Sequence, residues 1–152
     1  MQVSVDTHEL DAFQRRLALA GKRTPANIKK VLKVIGVIVK GKAVAFAPRS
    51  MTKSEYVRTL KGGVTKRSTS SFTTGSLKRS ITLEVKKESV EIGVPSNSKA
   101  GDYAEKVHSE WKRTKHNPPP ATDHYIYKAQ EKTERKYLRE VDKLVDRLVK
   151  SI

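Results

Sequence analysis

Four histidines and a scatter of carboxylates are the groups in this chain that could carry acid–base or metal chemistry. His108, His116 and His124 stand eight residues apart, but Pro118-Pro119-Pro120 forbids a continuous helix that would stack them on one face. No two histidines bracket a glutamate at the four-residue spacing of a zinc hydrolase. Glu105 and Glu110 have the residue types of a catalytic carboxylate pair, yet each has a plainer role as a helix cap or a surface charge. His116-Asn117 matches residue types used by some nucleases, and a dipeptide carries almost no information. Ser68 to Ser71 lacks the flanking glycines of a nucleophile elbow. Gly62-Gly63 ahead of Lys66 lacks the Gly, four residues, Gly-Lys-Ser/Thr order of a phosphate-binding loop. With no cysteine in the chain, disulfides, thiolate catalysis and cysteine-ligated zinc are excluded. The residues predict no catalytic centre, no metal and no cofactor.

Charge is the stronger signal. The chain of 152 residues carries a formal net charge of +16, distributed very unevenly. Residues 1–20 hold two bases and three acids, and residues 81–152 hold fifteen bases and twelve acids. Residues 21–80 hold fifteen bases against one acid, Glu55. Lysines scattered this way usually form a solvated face. An imbalance this large also favours a polyanion or an acidic protein surface as neighbour.

The elements that would position these charges follow from periodicity. Hydrophobic residues make up 36% of the chain and aromatics 6%, so the length suits one domain, 1–152, with a lean core. The polar start lacks the basic and apolar regions of a secretory signal. The most apolar stretch, residues 31–47, is broken by Lys33, Lys40 and Lys42 and is too short to span a bilayer. The protein therefore reads as soluble, with no membrane partner.

Gln2-Val3-Ser4-Val5 alternates as a short strand. Asp6 or Thr7 is placed to cap a helix through about Leu19, with Leu10, Phe13, Leu17 and Ala20 on one face, and Gly21 stops it. Thr24-Pro25 starts a second helix, since proline at the first helical position loses no hydrogen bond. Ile28, Val31, Leu32, Ile35, Ile38, Val39 and Phe46 recur at helical spacing, and Ala47-Pro48 ends the run. Several β-branched residues lend positions 34–39 some strand character, but the length of the run favours helix. Ile81, Leu83 and Val85 alternate, as do Val90, Ile92 and Val94, with Lys86-Lys87-Glu88-Ser89 between them: a β-hairpin. Asp102 and Glu105 have capping-box spacing and predict a short helix with Tyr103, Ala104, Val107 and Trp111 on one side. His116 to Pro120 is an extended connection. A last helix is predicted from Thr122 or Asp123 to about Lys150, with Tyr137, Leu138, Val141, Leu144, Val145, Leu148 and Ile152 as its apolar stripe. One stripe of this width suits packing within the subunit. The fold class is α+β: two long helices and a shorter N-terminal helix packed on a small antiparallel sheet.

Residues 49–74 stand apart as an extended basic loop, rich in Ser, Thr and Gly and without apolar periodicity. Thr52 and Glu55 have capping-box spacing for a short helix around residues 54–60. A loop of this length inside a compact domain is either functional or disordered.

The order of these signals carries a resemblance. A helix ends in Ala47-Pro48, and after an insertion come Thr74-Gly75-Ser76-Leu77-Lys78-Arg79-Ser80-Ile81. The hairpin closes in Ile92-Gly93-Val94, and a short helix opens with Tyr103-Ala104. The chain returns through Pro120-Ala121 to Tyr125-Ile126-Tyr127-Lys128-Ala129 and a long final helix. This resembles the tail-completion and head–tail joining proteins of tailed bacteriophages. Their pattern is a helix ending Ala-Pro, a Thr-Gly-x-Leu-x-x-Ser-Ile element, a hairpin, a Tyr-Ala helix and a Pro-Ala…Phe-Leu-x-x-Ala entry into the last helix. Val3-Ser4-Val5-Asp6 and Leu10 through Arg15-Arg16-Leu17 are similar to that family's start. The chain departs from the pattern at Val107-His108-Ser109-Glu110-Trp111, where the family often carries Glu-(Phe/Tyr)-Gly-Thr. It departs again at Asp123-His124, near a common Arg-Pro, and in the length of the insertion.

The resemblance implies a structural virion protein of the neck or tail, assembled in the host cytoplasm and not an enzyme. It implies a homo-oligomeric ring, six copies favoured over twelve, that completes the tail and meets connector and tail-tube proteins. On that reading Lys53, Arg58, Lys61, Lys66, Arg67, Lys78 and Arg79 are the partner-facing or DNA-facing candidates, making nonspecific phosphate contacts in the channel. The alternative is a free basic DNA-binding protein. Tyr56 and Phe72 are the only aromatics in the loop, a poor stacking platform. Lysine outnumbers arginine across residues 21–80, which argues against readout of base sequence.

Overall fold

The computed structural model describes residues 1–5, 8–48, 76–98, 100–111 and 119–151. Thr24 and Pro25 act as their types predict. The Thr24 Oγ1 accepts from the Asn27 N–H at 3.2 Å, and Pro25 opens the helix α2, Pro25–Phe46. Before it, a strand β1, Gln2–Ser4, a 3₁₀ turn, His8–Leu10, and a helix α1, Asp11–Leu19, follow one another. Gly21 takes φ +67°, the left-handed geometry that ends a helix cheaply only at glycine. Leu10 serves as the N-cap of α1 with no side-chain hydrogen bond. The expected caps Asp6 and Thr7 lie outside the described residues, as do the bases of the 49–74 loop and the short helix expected within it.

After the loop the chain forms α3, Ser76–Ser80, then the hairpin β2, Thr82–Val85, and β3, Val90–Gly93. Val85 faces Val90, and the Lys86 N–H donates to the Ser89 carbonyl at 2.8 Å, so the four residues between the strands are the ones the alternation left over. The sheet has three antiparallel strands in the order β1-β3-β2. The opening strand pairs with β3, Val3 opposite Ile92, and the Val94 N–H donates to the Met1 carbonyl at 2.8 Å. A hairpin alone is marginal in water; a third strand and a helix against one face make it stable.

That helix is α2, which packs against β2 and β3 and also against α5, Tyr125–Lys150. Gly36 marks the closest approach. A Cβ there would stand 2.7 Å from Val90 Cγ2 and 2.9 Å from Leu83 Cδ1, closer than carbon atoms tolerate. Leu32, Ile35 and Val39 of α2, Val90 and Ile92 of β3, and Ile126, Val141 and Val145 of α5 are fully buried in one cluster. Leu77 and Ile81, four apart around α3, are buried in it too, as their spacing predicts. The α5 stripe is spent within the subunit: Tyr137, Val141 and Val145 are buried, with Leu138, Leu144 and Leu148 packed beside them.

Besides α1, which begins at Asp11 rather than after Asp6 or Thr7, two helix starts differ from the sequence-based expectation. The helix α4, Gly101–Glu110, has Ala100 as its N-cap, and Asp102 falls inside its first turn. A tight turn delivers the chain early: the Ser98 N–H and hydroxyl both donate to the Pro95 carbonyl, and the Gly101 N–H donates to Ser98. Ala104 then makes the first helical bond, to Ala100, so Asp102 is past the capping position. The helix α5 begins at Tyr125 with His124 as N-cap, later than Thr122 or Asp123. Those two side chains are engaged elsewhere. Lys128 Nζ donates to Asp123 at 2.6 Å and to the Thr122 hydroxyl at 2.8 Å.

Candidate functional site

Two features of the surface could do something other than hold the fold. The first is the face of α2 turned away from the core. The helix contains five lysines and no acid. At 100° per residue Lys29, Lys33 and Lys40 lie within about 40° of one another, and Lys30 lies about 60° from Lys33. Lys29, Lys30 and Lys33 are exposed and Lys40 is half-buried. Among them sits Val37, 52% exposed. Lys42 points differently, with its ammonium 4.9 Å from the centre of the Phe46 ring, a cation–π contact. None of the five makes an ion pair with a described residue.

At the start of α2 an open cleft of about 780 Å³ separates Arg23, Ile28 and Lys29 from the hairpin turn at residues 84–88. Its walls carry both signs of charge. Lys86 is held by Glu91 at 2.7 Å, which raises the lysine above its ordinary range. Ile28 and Val85 supply an apolar patch between them.

The second feature joins the end of α4 to the start of α5. The His124 N–H donates to the His108 carbonyl at 2.6 Å. The His108 ring is edge-on to those of His124, Tyr125 and Tyr127, with centroids 5.3, 4.9 and 5.1 Å away. Burial, and then the neighbouring His124, push His108 down to about 4, so the ring is neutral at ordinary pH. Its buried Nε2 has no hydrogen-bond partner among the described residues. Asp123 is held down to about 2, first by the Lys128 ammonium and then by His124. His108 lies one turn after the buried Ala104, at the edge of the apolar side of α4, and the docking of α5 completes its burial. A neutral histidine packed against two tyrosines joins the end of α4 to the start of α5. Among the described residues no three His, Cys, Asp or Glu side chains gather as a metal site.

Of the candidate partner-facing residues, Lys53, Arg58, Lys61, Lys66 and Arg67 lie outside the described residues. Lys78 is half-buried and Arg79 exposed, adjacent on α3 beside the point where the loop returns. Glu105 is exposed on α4, and His116 falls outside the described residues. The structure therefore brings no catalytic set together among the described residues. It displays a lysine face on α2.

Residues 11–106 match the profile of the family described as "Bacteriophage HK97-gp10, putative tail-component", HK97-gp10-like. The match covers more than half of the chain. The protein belongs to this family of phage tail components. No curated protein and no solved structure matches it. The HK97-gp10-like span begins at α1, contains α2, the loop, α3 and the hairpin, and ends inside α4. The lysine face and the loop thus lie within the family's shared region. As an HK97-gp10-like tail component the protein is a structural part of the virion, and its working surfaces meet other phage structural proteins. No described helix is long and apolar enough to cross a membrane.

Proposed function

We propose that the protein is a neck component: a homo-oligomeric ring that completes the tail at its head-proximal end and joins it to the head connector. The observation that carries this reading is the family match across residues 11–106. The order of sequence elements that resembles tail-completion and joining proteins supports it. The whole chain, 1–152, acts as one unit, with residues 49–74 as an assembly loop between α2 and α3.

The function is geometric. Weak contacts between identical copies close into a stable ring when rotation returns the last copy to the first. Six copies are favoured over twelve. The basic loop, repeated around the ring, offers Lys53, Arg58, Lys61, Lys66 and Arg67 to the connector, the tail tube or the DNA channel, with Lys78 and Arg79 at its root. No catalysis is assigned to the protein, and no cofactor.

The test is assembly. Removal of the gene from a propagating phage should yield full heads and separate tails whose tubes have lost their uniform head-proximal end. The purified full chain should sediment as a closed ring, alone or with tail-tube protein. Normal particles without the protein would sink the reading. A chain that stays monomeric with its phage partners present and binds free DNA would favour the alternative, a free basic DNA-binding protein.

A further inference from the structure

We propose that the outward face of α2 is a phosphate-tracking surface, on which Lys29, Lys33 and Lys40 hold double-stranded DNA without regard to sequence. The proposal deepens the neck-ring reading, on which it rests for where such DNA would be met, by naming a surface of the folded body beside the loop.

Four cations elsewhere on the described surface are matched, Arg16 with Asp142 and Asp146, Lys86 with Glu91, Lys128 with Asp123 and Lys143 with Glu140, and the other bases of α5 stand among the acids of their own helix. The lysines of α2 have no described acid against them, and the helix itself carries none. Like charges one turn apart repel one another and weaken an isolated helix. The row is tolerated because the opposite face of α2 is buried against both the sheet and α5. Such an array sets up a field that only an outside anion relieves.

The shape of the array decides which anion. Lys29 to Lys40 covers eleven residues, about 16 Å along the helix axis. A strand of duplex DNA advances about 3.4 Å per phosphate, so the row spans about five phosphates of one strand. An acidic protein surface is the rival. Protein interfaces gain from a buried apolar centre, and this face offers one half-exposed apolar side chain, Val37. A partner that needs only charges matches that surface better than one that needs apolar contact. Lysine, a compact point charge, suits phosphates that must slide, whereas arginine forks would grip.

The experiment uses the full chain and a 30-base-pair duplex of arbitrary sequence, with binding followed by fluorescence anisotropy at several salt concentrations. One variant carries Lys29→Glu, Lys33→Glu and Lys40→Glu. A charge-matched control carries Lys132→Glu, Lys136→Glu and Lys143→Glu on α5, whose acids and bases are interspersed. A third carries glutamine at the three α2 positions, which keeps helix propensity and decides the matter if the glutamate variant fails to fold. Reversal on α2 should weaken binding at least tenfold more than the control does. Glutamine on α2 should flatten the dependence of log affinity on log salt by about 2 to 3, roughly 0.9 per lost phosphate contact. Equal losses in the α2 and α5 variants would show an effect of net charge alone and overturn the proposal. So would binding to polyglutamate in preference to DNA at 50 mM salt. Sedimentation of the same samples reports ring formation separately. Rings without the α2 effect defeat this inference alone, and the α2 effect without rings defeats the neck-ring reading alone.

Discussion

The His124 amide donates to the His108 carbonyl at 2.6 Å, tying the end of α4 to the start of α5 across sixteen residues. The bond holds His124 at φ +46°, an uncommon conformation for a residue with a Cβ. It also closes the His108 ring against Tyr125 and Tyr127. Position and burial together set the first prediction.

His108 is lowered from 6.5 to about 4 by burial and by His124. A depressed pKa means the folded state resists the proton that the unfolded chain accepts. Stability is fully present above pH 6.5 and is lost as pH falls from 6.5 toward 4. From pH 7 to pH 5 the loss from this residue should be on the order of 1–2 kcal/mol. Chemical unfolding at the two pH values measures it. His108→Phe should remove most of that difference, and an unchanged pH dependence in the variant would show that His108 does not titrate as described. Asp123, lowered to about 2 by Lys128 and His124, adds its own loss only below about pH 3.8.

Two glycines on α2 should respond in opposite directions. Gly36→Val would drive side-chain carbons into Val90 and Leu83, where even a Cβ finds 2.7 and 2.9 Å, and should cost about 1–3 kcal/mol. Gly41→Ala enters open space and should stabilise the helix by about 0.5–1 kcal/mol. Thermal melts of the two variants beside the parent check both signs at once. A neutral Gly36→Val would mean that α2 and the sheet are not in contact there.

The start of α2 is capped by a bond from the Asn27 amide to Thr24 Oγ1 at 3.2 Å, beside the bond from Asn27 Nδ2 to the Lys22 carbonyl at 2.8 Å. Thr24→Ala should lower stability by about 1 kcal/mol, and Thr24→Ser should recover most of it. Urea midpoints at constant slope would report the loss as one of stability rather than of compactness.

The loop should separate assembly from folding. Deletion of residues 61–73 is expected to leave a soluble, cooperatively melting protein that no longer completes particles. Charge reversal of Lys61, Lys66 and Arg67 in the full chain should impair DNA retention or joining if those bases line the channel. Particles that assemble and hold DNA normally with all three reversed would remove the loop from the channel while leaving the neck-ring reading intact.

Much of the fold was legible because its signals are local. Thr24-Pro25, the 3.6-residue spacing from Ile28 to Phe46 and Ala47-Pro48 state a helix and both its ends within one stretch of chain. The hairpin is likewise complete in residues 81–94, alternation on both sides of a four-residue connection. Leu77 and Ile81 announced their shared contact by spacing alone. The candidate site was legible only as a charge imbalance: the pattern showed that residues 21–80 are basic, and the loop bases it singled out lie outside the described residues.

What the tertiary structure decided has a common physical cause. Each such feature is a contact between groups far apart in the chain, whose strength depends on burial that no window of sequence contains. The three residues of β1 pair with β3 about ninety positions away, and their own alternation could not name a partner. Arg16 of α1 meets Asp142 of α5 at 2.6 Å, although each alone reads as a surface charge. His108, weighed in the sequence only for its spacing to the other histidines, is 5% exposed in the fold, because α5 lays two tyrosines against it. The caps expected at Asp102 and Asp123 moved for the same reason. Capping strength is local, but a tight turn at Pro95 to Ser98 and the bonds from Lys128 and His108 took over the chain before a local cap could act. Periodicity determined which residues form helices and strands; only the packing of α5 on α2, and of α2 on the sheet, decided which of their polar groups are joints and which lysines are left facing outward.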